Sequence, residues 1–226
     1  MGRYLTPRSH RWEGPEAEFG PESDNIPWSF VPDRKVAVED VKYLLSAHYQ
    51  GTPYNPYSNH DTGKRGMYRS IGINRTGVTS VCQIRPDKPE AVKGLEWICF
   101  GSTTFDALLP VYPNVPRMPD YLSQVTLDAS TENFYWASRM IGALADASYN
   151  SSAQLIERYQ QAVMVKGRQI VRNYDSRIAA GEDASILQKA NEELCAMAKE
   201  QSTKTLNKVL HEASLRMKNG YNRADN

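Results

Sequence analysis

Residues 68–86, YRSIGINRTGVTSVCQIRP, limit the fold more than any other stretch of the chain. A short strand-like run (68–73) meets a polar corner at Asn74-Arg75-Thr76, and a β-branched, apolar run follows at 79–84. Runs of this length bounded by Gly, Asn and Pro read as strands, and EWICF at 96–100 is a third. Two packed strands would hold the corner, with its guanidinium and amide, at the lip of a cleft. The chain therefore builds a sheet, and its flanks decide the class.

Those flanks are irregular before the sheet and helical after it. Residues 1–35 lack apolar periodicity and carry prolines at 7, 15, 21, 27 and 32, which excludes a long helix or a central strand. The aromatic residues Tyr4, Trp12, Phe19, Trp28 and Phe30 favour an irregular strap lying on a surface over a disordered tail. From Val38, Val41, Leu44, Leu45 and His48 fall at helical spacing, with Glu39 and Asp40 in the first turn and a stop at Gly51 and Pro53. Ala37 stands at the N-cap without a capping side chain. Residues 51–66 read as loop, and 105–116, apolar but punctuated by prolines, as a buried irregular segment.

Three helices are predicted beyond that. The first spans 131–147 with Ser130 or Thr131 as cap and a stripe of Phe134, Ala137, Ile141, Leu144 and Ala145. The second spans 154–178, with Leu155, Tyr159, Val163, Ile170 and Tyr174 in phase, and ends at Gly181. Asp183 caps the third, which runs to about Met217 and carries Leu187, Leu194, Met197, Leu206 and Leu210. The last two form an αα-hairpin, and 219–226 a frayed tail. The fold class is α+β, divided into a strap (1–35), an α+β core (36–150) and a helical appendage (151–226).

Composition narrows the function. At 226 residues, 40% hydrophobic and 23% charged, the chain can bury one good core. A net charge of +1 supplies no drive toward nucleic acid or an anionic membrane, and no apolar run is long enough to span a bilayer. Three widely spaced cysteines do not make a disulfide framework, so the expected compartment is the cytoplasm.

A search for reactive groups yields little. Cys82 and Cys99 lie inside strand-like runs and read as core residues, and Cys195 sits among Leu194, Met197 and Ala198 on a helix. His10, His48, His60 and His211 show no metal-ligand spacing, and HExxH, CxxC and glycine-rich phosphate loops are absent, so no cofactor is expected. A dyad formed in space by His48 with Cys82 or Cys99 stays open. Asn74-Arg75 has two readings: a surface arginine at a tight corner, or a fixed guanidinium that stabilises negative charge at a reacting centre.

Long blocks of the chain resemble the dipeptidase A family, cysteine peptidases of the N-terminal-nucleophile (Ntn) hydrolase superfamily. The blocks are FGPESDNIPWSFVPDRK (19–35), VEDVKYLLSAHYQGTPYNPY (38–57), YRSIGINRT (68–76), QIRP (83–86), EWICFGSTTFDALLPVY (96–112) and TENFYWASRMIGALAD (131–146). Secernins share the broader family. The resemblance implies an αββα sandwich and an N-terminal cysteine whose free α-amino group is the base. It implies attack on a dipeptide carbonyl, an acyl-enzyme, and release by water. It assigns Arg75, with Asn74 beside it, to the arginine that assists the nucleophile from the C-terminal half in related Ntn hydrolases.

No cysteine stands at or near the start of this chain. The expectation is therefore a C-terminal portion of such an enzyme, inactive alone, whose partners are dipeptide substrates, the missing N-terminal portion and further copies in a homo-oligomer. The rival expectations are a non-enzymatic module using the helices of 154–217 for assembly or a secernin-like protein, and a self-contained thiol enzyme using Cys82 or Cys99.

Overall fold

In a computed structural model of the protein, residues 1–60 and 63–217 are described, in two compact units divided between Ile71 and Gly72. The first unit holds helix α1 (Gly2–Leu5), a single 3-10 turn (His10–Trp12) and helix α2 (Val38–Leu45). Its proline-rich part is organised by rings: Trp12 packs on Phe19 at 5.1 Å and Phe30 at 5.6 Å, and its Nε1–H donates to Thr6 Oγ1 at 2.8 Å. Gly2 is required there, because a Cβ would sit 2.2 Å from the Trp12 indole. By contrast, Trp28 is fully exposed.

Asp40, in the first turn of α2, ties this unit together. Its carboxylate receives both terminal nitrogens of Arg34 (2.6 and 2.7 Å), the Tyr4 hydroxyl (2.8 Å) and the Ala37 backbone N–H (2.7 Å). The last contact is half of a capping box. Serine at 37 would add the other half by accepting the Asp40 N–H, so Ala37→Ser is expected to stabilise the helix by about 0.5–2 kcal/mol. A thermal melt shows it, and an unchanged or lower midpoint counts against this helix start.

The same cluster sets an acid sensitivity. Hydrogen bonds from Arg34 and from the Ala37 N–H hold the Asp40 carboxyl well below its ordinary range. Its folded pKa lies below its unfolded value, so the stabilisation is complete above about pH 4 and is lost as pH falls toward the folded value. Melts between pH 5 and pH 2, roughly one unit either side of the unfolded carboxyl range, should show stability falling in the wild type. Asp40→Asn should be less stable at pH 5 and flatter below pH 4, again about the unfolded value; a parallel decline would remove Asp40 as the source.

In the second unit, strands β1 (Val78–Ile84), β2 (Gly94–Phe100) and β3 (Leu109–Val111) form an antiparallel sheet in that order. The expected strand at 68–73 does not form. Its polar groups bond distant loop positions instead of a ladder: Ile71 N–H bonds Ala47 O within the first unit, and Gly72 O accepts the Thr104 hydroxyl within the second. The segment 105–116 is buried in part as expected but is not wholly irregular. Pro110 enters strand β3 opposite Trp97, tolerated because β3 lies at an edge of the sheet.

Helices follow: α3 (Asp120–Ser123), α4 (Phe134–Ala147), α5 (Tyr149–Ala179) and α6 (Ile186–Ser214). The cap of α4 is Asn133, whose Oδ1 accepts the Trp136 N–H at 2.9 Å, not Ser130 or Thr131. The latter two lie before the first helical turn, outside its reach. Helix α5 starts at Tyr149, five residues earlier than its apolar pattern suggests, and buries Ile156, Tyr159, Val163, Gly167, Val171, Tyr174 and Ile178. Ile156 thus replaces Leu155 on the inner stripe. In α6, Val209 is fully buried and Leu210 is half exposed, reversing the expectation for that turn. Gly181 adopts φ +96° between the two long helices, and the Asp183 carboxylate accepts the Ser185 N–H at 2.9 Å. Helix α6 stops at Ser214, three residues before the expected end; the tail 219–226 lies outside the described residues.

One face of the sheet packs on α5. Leu95, Trp97 and Cys99 are buried, Arg168 covers the Trp97 ring at 4.9 Å, and Gly167 lets the helix approach Pro110 so closely that a Cβ would lie 2.9 Å from the proline ring. Phe134, Ile141, Leu187, Leu194 and Val163 complete the core, each contributing about 1.5–3 kcal/mol by burial. A buried ion pair links β1 to α5: Arg85, just past β1, bonds Asp175 Oδ2 at 2.6 Å and Oδ1 at 3.1 Å. The Tyr112 hydroxyl adds a 2.8 Å bond to Oδ1.

Candidate functional site

The Asn74-Arg75 corner is a hydrogen-bonded turn, closed by the Thr76 N–H on Ile73 O at 3.2 Å. Asn74 and Arg75 occupy its two central positions and both are exposed. Three anchors fix it to the second unit. Gly101 N–H bonds Gly77 O at 2.8 Å, extending the β1–β2 ladder by one step; the Thr104 hydroxyl bonds Gly72 O at 3.3 Å; and Arg139 of α4 bonds Asn74 O at 3.1 Å. Gly101 makes the first anchor possible, since it holds φ +79° with the Arg139 side chain lying over it.

The loop carrying Gly101 and Thr104 is locked from below by Asp106. This buried carboxylate accepts the Phe100 and Ala107 N–H groups (2.5 and 2.7 Å) and the Ser138 hydroxyl (2.8 Å). Gln160 of α5 donates to the carbonyls of Thr104 and Asp106 at 3.0 and 3.1 Å. A core of packed helices thus fixes a turn whose own side chains point to solvent. Among the described residues the Arg75 guanidinium has no hydrogen bond or ion pair, which leaves its five donors free for an anion. Arg139 brings a second guanidinium to the same corner. No sequence signal marks it, because an arginine on the outer face of an amphipathic helix looks like any solvated charge.

The thiols are poorly suited to chemistry here. Cys99 and Cys195 are buried, and burial pushes the Cys195 thiol up to about 12. Cys82 was expected in the core and is instead exposed, because β1 is an edge strand with one face uncovered. His48 lies beyond the end of α2, buried, with Nδ1 3.0 Å from Ser46 O and its pKa lowered by desolvation. Among the described residues no group of three or more His, Cys, Asp or Glu could hold a metal ion, and no helix is long and apolar enough to cross a membrane. The first unit also contains a cleft of about 700 Å³ lined largely by Tyr4, Tyr43, Leu44, Tyr49, Ile26 and prolines. Tyr49 sits there at φ 60°.

Comparison with known proteins places this architecture. The profile of peptidase family C69 matches residues 2–162. The chain belongs to peptidase family C69. It is 38% identical to a dipeptidase of Bifidobacterium longum (strain NCC 2705) over 267 aligned positions, covering 100% of this chain and 50% of that protein. It is 37% identical to a probable dipeptidase A of Streptococcus pyogenes serotype M18, covering 98% of this chain and 48% of that one. With dipeptidase A of Lactobacillus helveticus the identity is 30%, over 77% and 38%. This C69 chain therefore spans about half the length of the curated relatives it matches. The C69 match includes the 72–77 corner, Arg139 and the loop that anchors them.

Proposed function

We propose that this chain is the C-terminal portion of a cysteine-type dipeptidase and supplies scaffold and positive charge to a nucleophile carried by polypeptide that it does not span. Identity of 36–38% to several dipeptidases along nearly its whole length carries this reading. The thiols support it: two are buried, and the third lies exposed on an open strand opposite Glu96, whose carboxylate accepts the Ser80 hydroxyl. In the reaction, a cysteine sulfur bonds the carbonyl carbon of the dipeptide and the C–N bond breaks. The leaving amine takes the thiol proton through the nucleophile's own α-amino group. Water then cleaves the thioester, releasing the second amino acid and restoring the thiol. Arg75 stabilises the negative charge that develops at sulfur and oxygen, with Asn74 beside it.

In this reading the three-stranded sheet and its helices form part of an αββα sandwich. Helices α5 and α6 form an αα-hairpin that supports subunit contacts in a cytoplasmic homo-oligomer. The test is co-production with the half of the Bifidobacterium longum dipeptidase that this chain does not match. Dipeptide hydrolysis should return, and iodoacetamide inactivation should mark a cysteine of that half. Inactivation traced to Cys82, Cys99 or Cys195 would contradict the assignment.

A further inference from the structure

Strand β1 is an edge that nothing in the described structure protects. Its seven residues, VTSVCQI, carry no charge and no proline, and it pairs only with β2. On one face Val78 is 55% and Ile84 76% exposed, with Ser80 and Cys82 between them also open to solvent. The opposite edge of the same sheet is closed. Pro110 offers no N–H there, and the buried Asn191 amide of α6 bonds both the N–H and the carbonyl of Tyr112 at 2.9 Å, as a neighbouring strand would. Natural sheets blunt their free edges with lysine, proline, bulges or a covering element. One edge here has such devices and the other has none.

We propose that the outer edge and exposed face of β1 dock an extended strand from the half of a full-length dipeptidase that this chain does not span, by strand addition. The occupant follows from length: two dipeptidases that match this chain end to end are about twice as long, so each carries as much polypeptide again. A neutral strand of about seven residues, roughly 23 Å at 3.3 Å per residue, fits the edge. Alternate apolar side chains on it would cover Val78, Cys82 and Ile84, and the main chain would supply the ladder. This rests on the reading of the chain as part of a longer enzyme.

Cys82 reports occupancy directly, because Cys99 and Cys195 are buried. In the chain alone, maleimide should modify Cys82 and spare the other two. Mixed with the unmatched half of the Bifidobacterium longum dipeptidase, Cys82 should react at least about tenfold more slowly, as protected groups do when access requires local opening. Ile84→Lys, folded by circular dichroism, should lose that protection. An unchanged Cys82 rate in the mixture overturns the proposal, as does an unreactive Cys82 in the free chain. Protection that grows with the concentration of this chain alone overturns it in favour of a second copy. Hydrolysis regained with Cys82 still open would sink the docking surface and leave the dipeptidase reading; protection without hydrolysis would do the reverse.

Discussion

Asp175→Ala should destabilise the protein by about 3–5 kcal/mol, the usual cost of removing one partner from a buried ion pair. Asp175 is 4% exposed and faces Arg85 at 2.6 Å, whose side chain is itself only 13% exposed. The substitution strands that guanidinium without a counterion, since among the described residues Asp175 is the carboxylate that pairs with Arg85. It also leaves the Tyr112 hydroxyl with only Val171 O at 3.1 Å. Burial, and after it Asp175, already raise the Tyr112 phenol, so that group stays neutral and cannot relieve the charge. A typical domain holds only about 5–15 kcal/mol in all, so urea unfolding should show a large fall in midpoint with little change in slope. Replacing Arg85 and Asp175 together by Met and Leu should recover most of the loss, because the pair's attraction largely offsets its desolvation. Asp120→Ala, which breaks a pair exposed on both sides, should leave the midpoint where it was. A small effect for Asp175→Ala would mean that β1 and α5 are held by packing alone.

Arg75→Ala in the recombined enzyme should lower kcat at least about tenfold, toward the 10²–10³ lost with a single oxyanion donor. Stability should not move, because Arg75 is exposed and its guanidinium has no partner among the described residues. Arg75→Lys should restore part of the rate, since it keeps the charge and loses the fork. Wild-type turnover by Arg75→Ala would remove Arg75 from the site and return it to the reading of a surface arginine at a tight corner.

Much of this was readable in the sequence, for reasons that differ by region. The long helices declared themselves by apolar spacing, because burial on one stripe is a local pattern. Their ends were less legible: Asn133 rather than Ser130 or Thr131 caps α4, since Phe134 and not Thr131 begins the buried face. The 68–73 run has strand-like residues but, among the described residues, no strand to pair with, and pairing is a tertiary property. The same applies to Cys82, which looked like core until β1 proved to be an edge. Pro110 argued against a strand, and only the edge position of β3 allowed one. At the site, the corner and Arg75 stood out as a polar break between apolar runs. Arg139 did not, because its meaning comes from a carbonyl 65 residues away in the chain.

The most direct measurement is a dipeptidase assay on this chain, purified to homogeneity, run beside the same chain recombined with the unmatched half of the Bifidobacterium longum enzyme. No turnover is expected from the first and hydrolysis from the second. Sustained cleavage of dipeptides by the chain alone would contradict this, because the attacking sulfur would then have to be one of its own three.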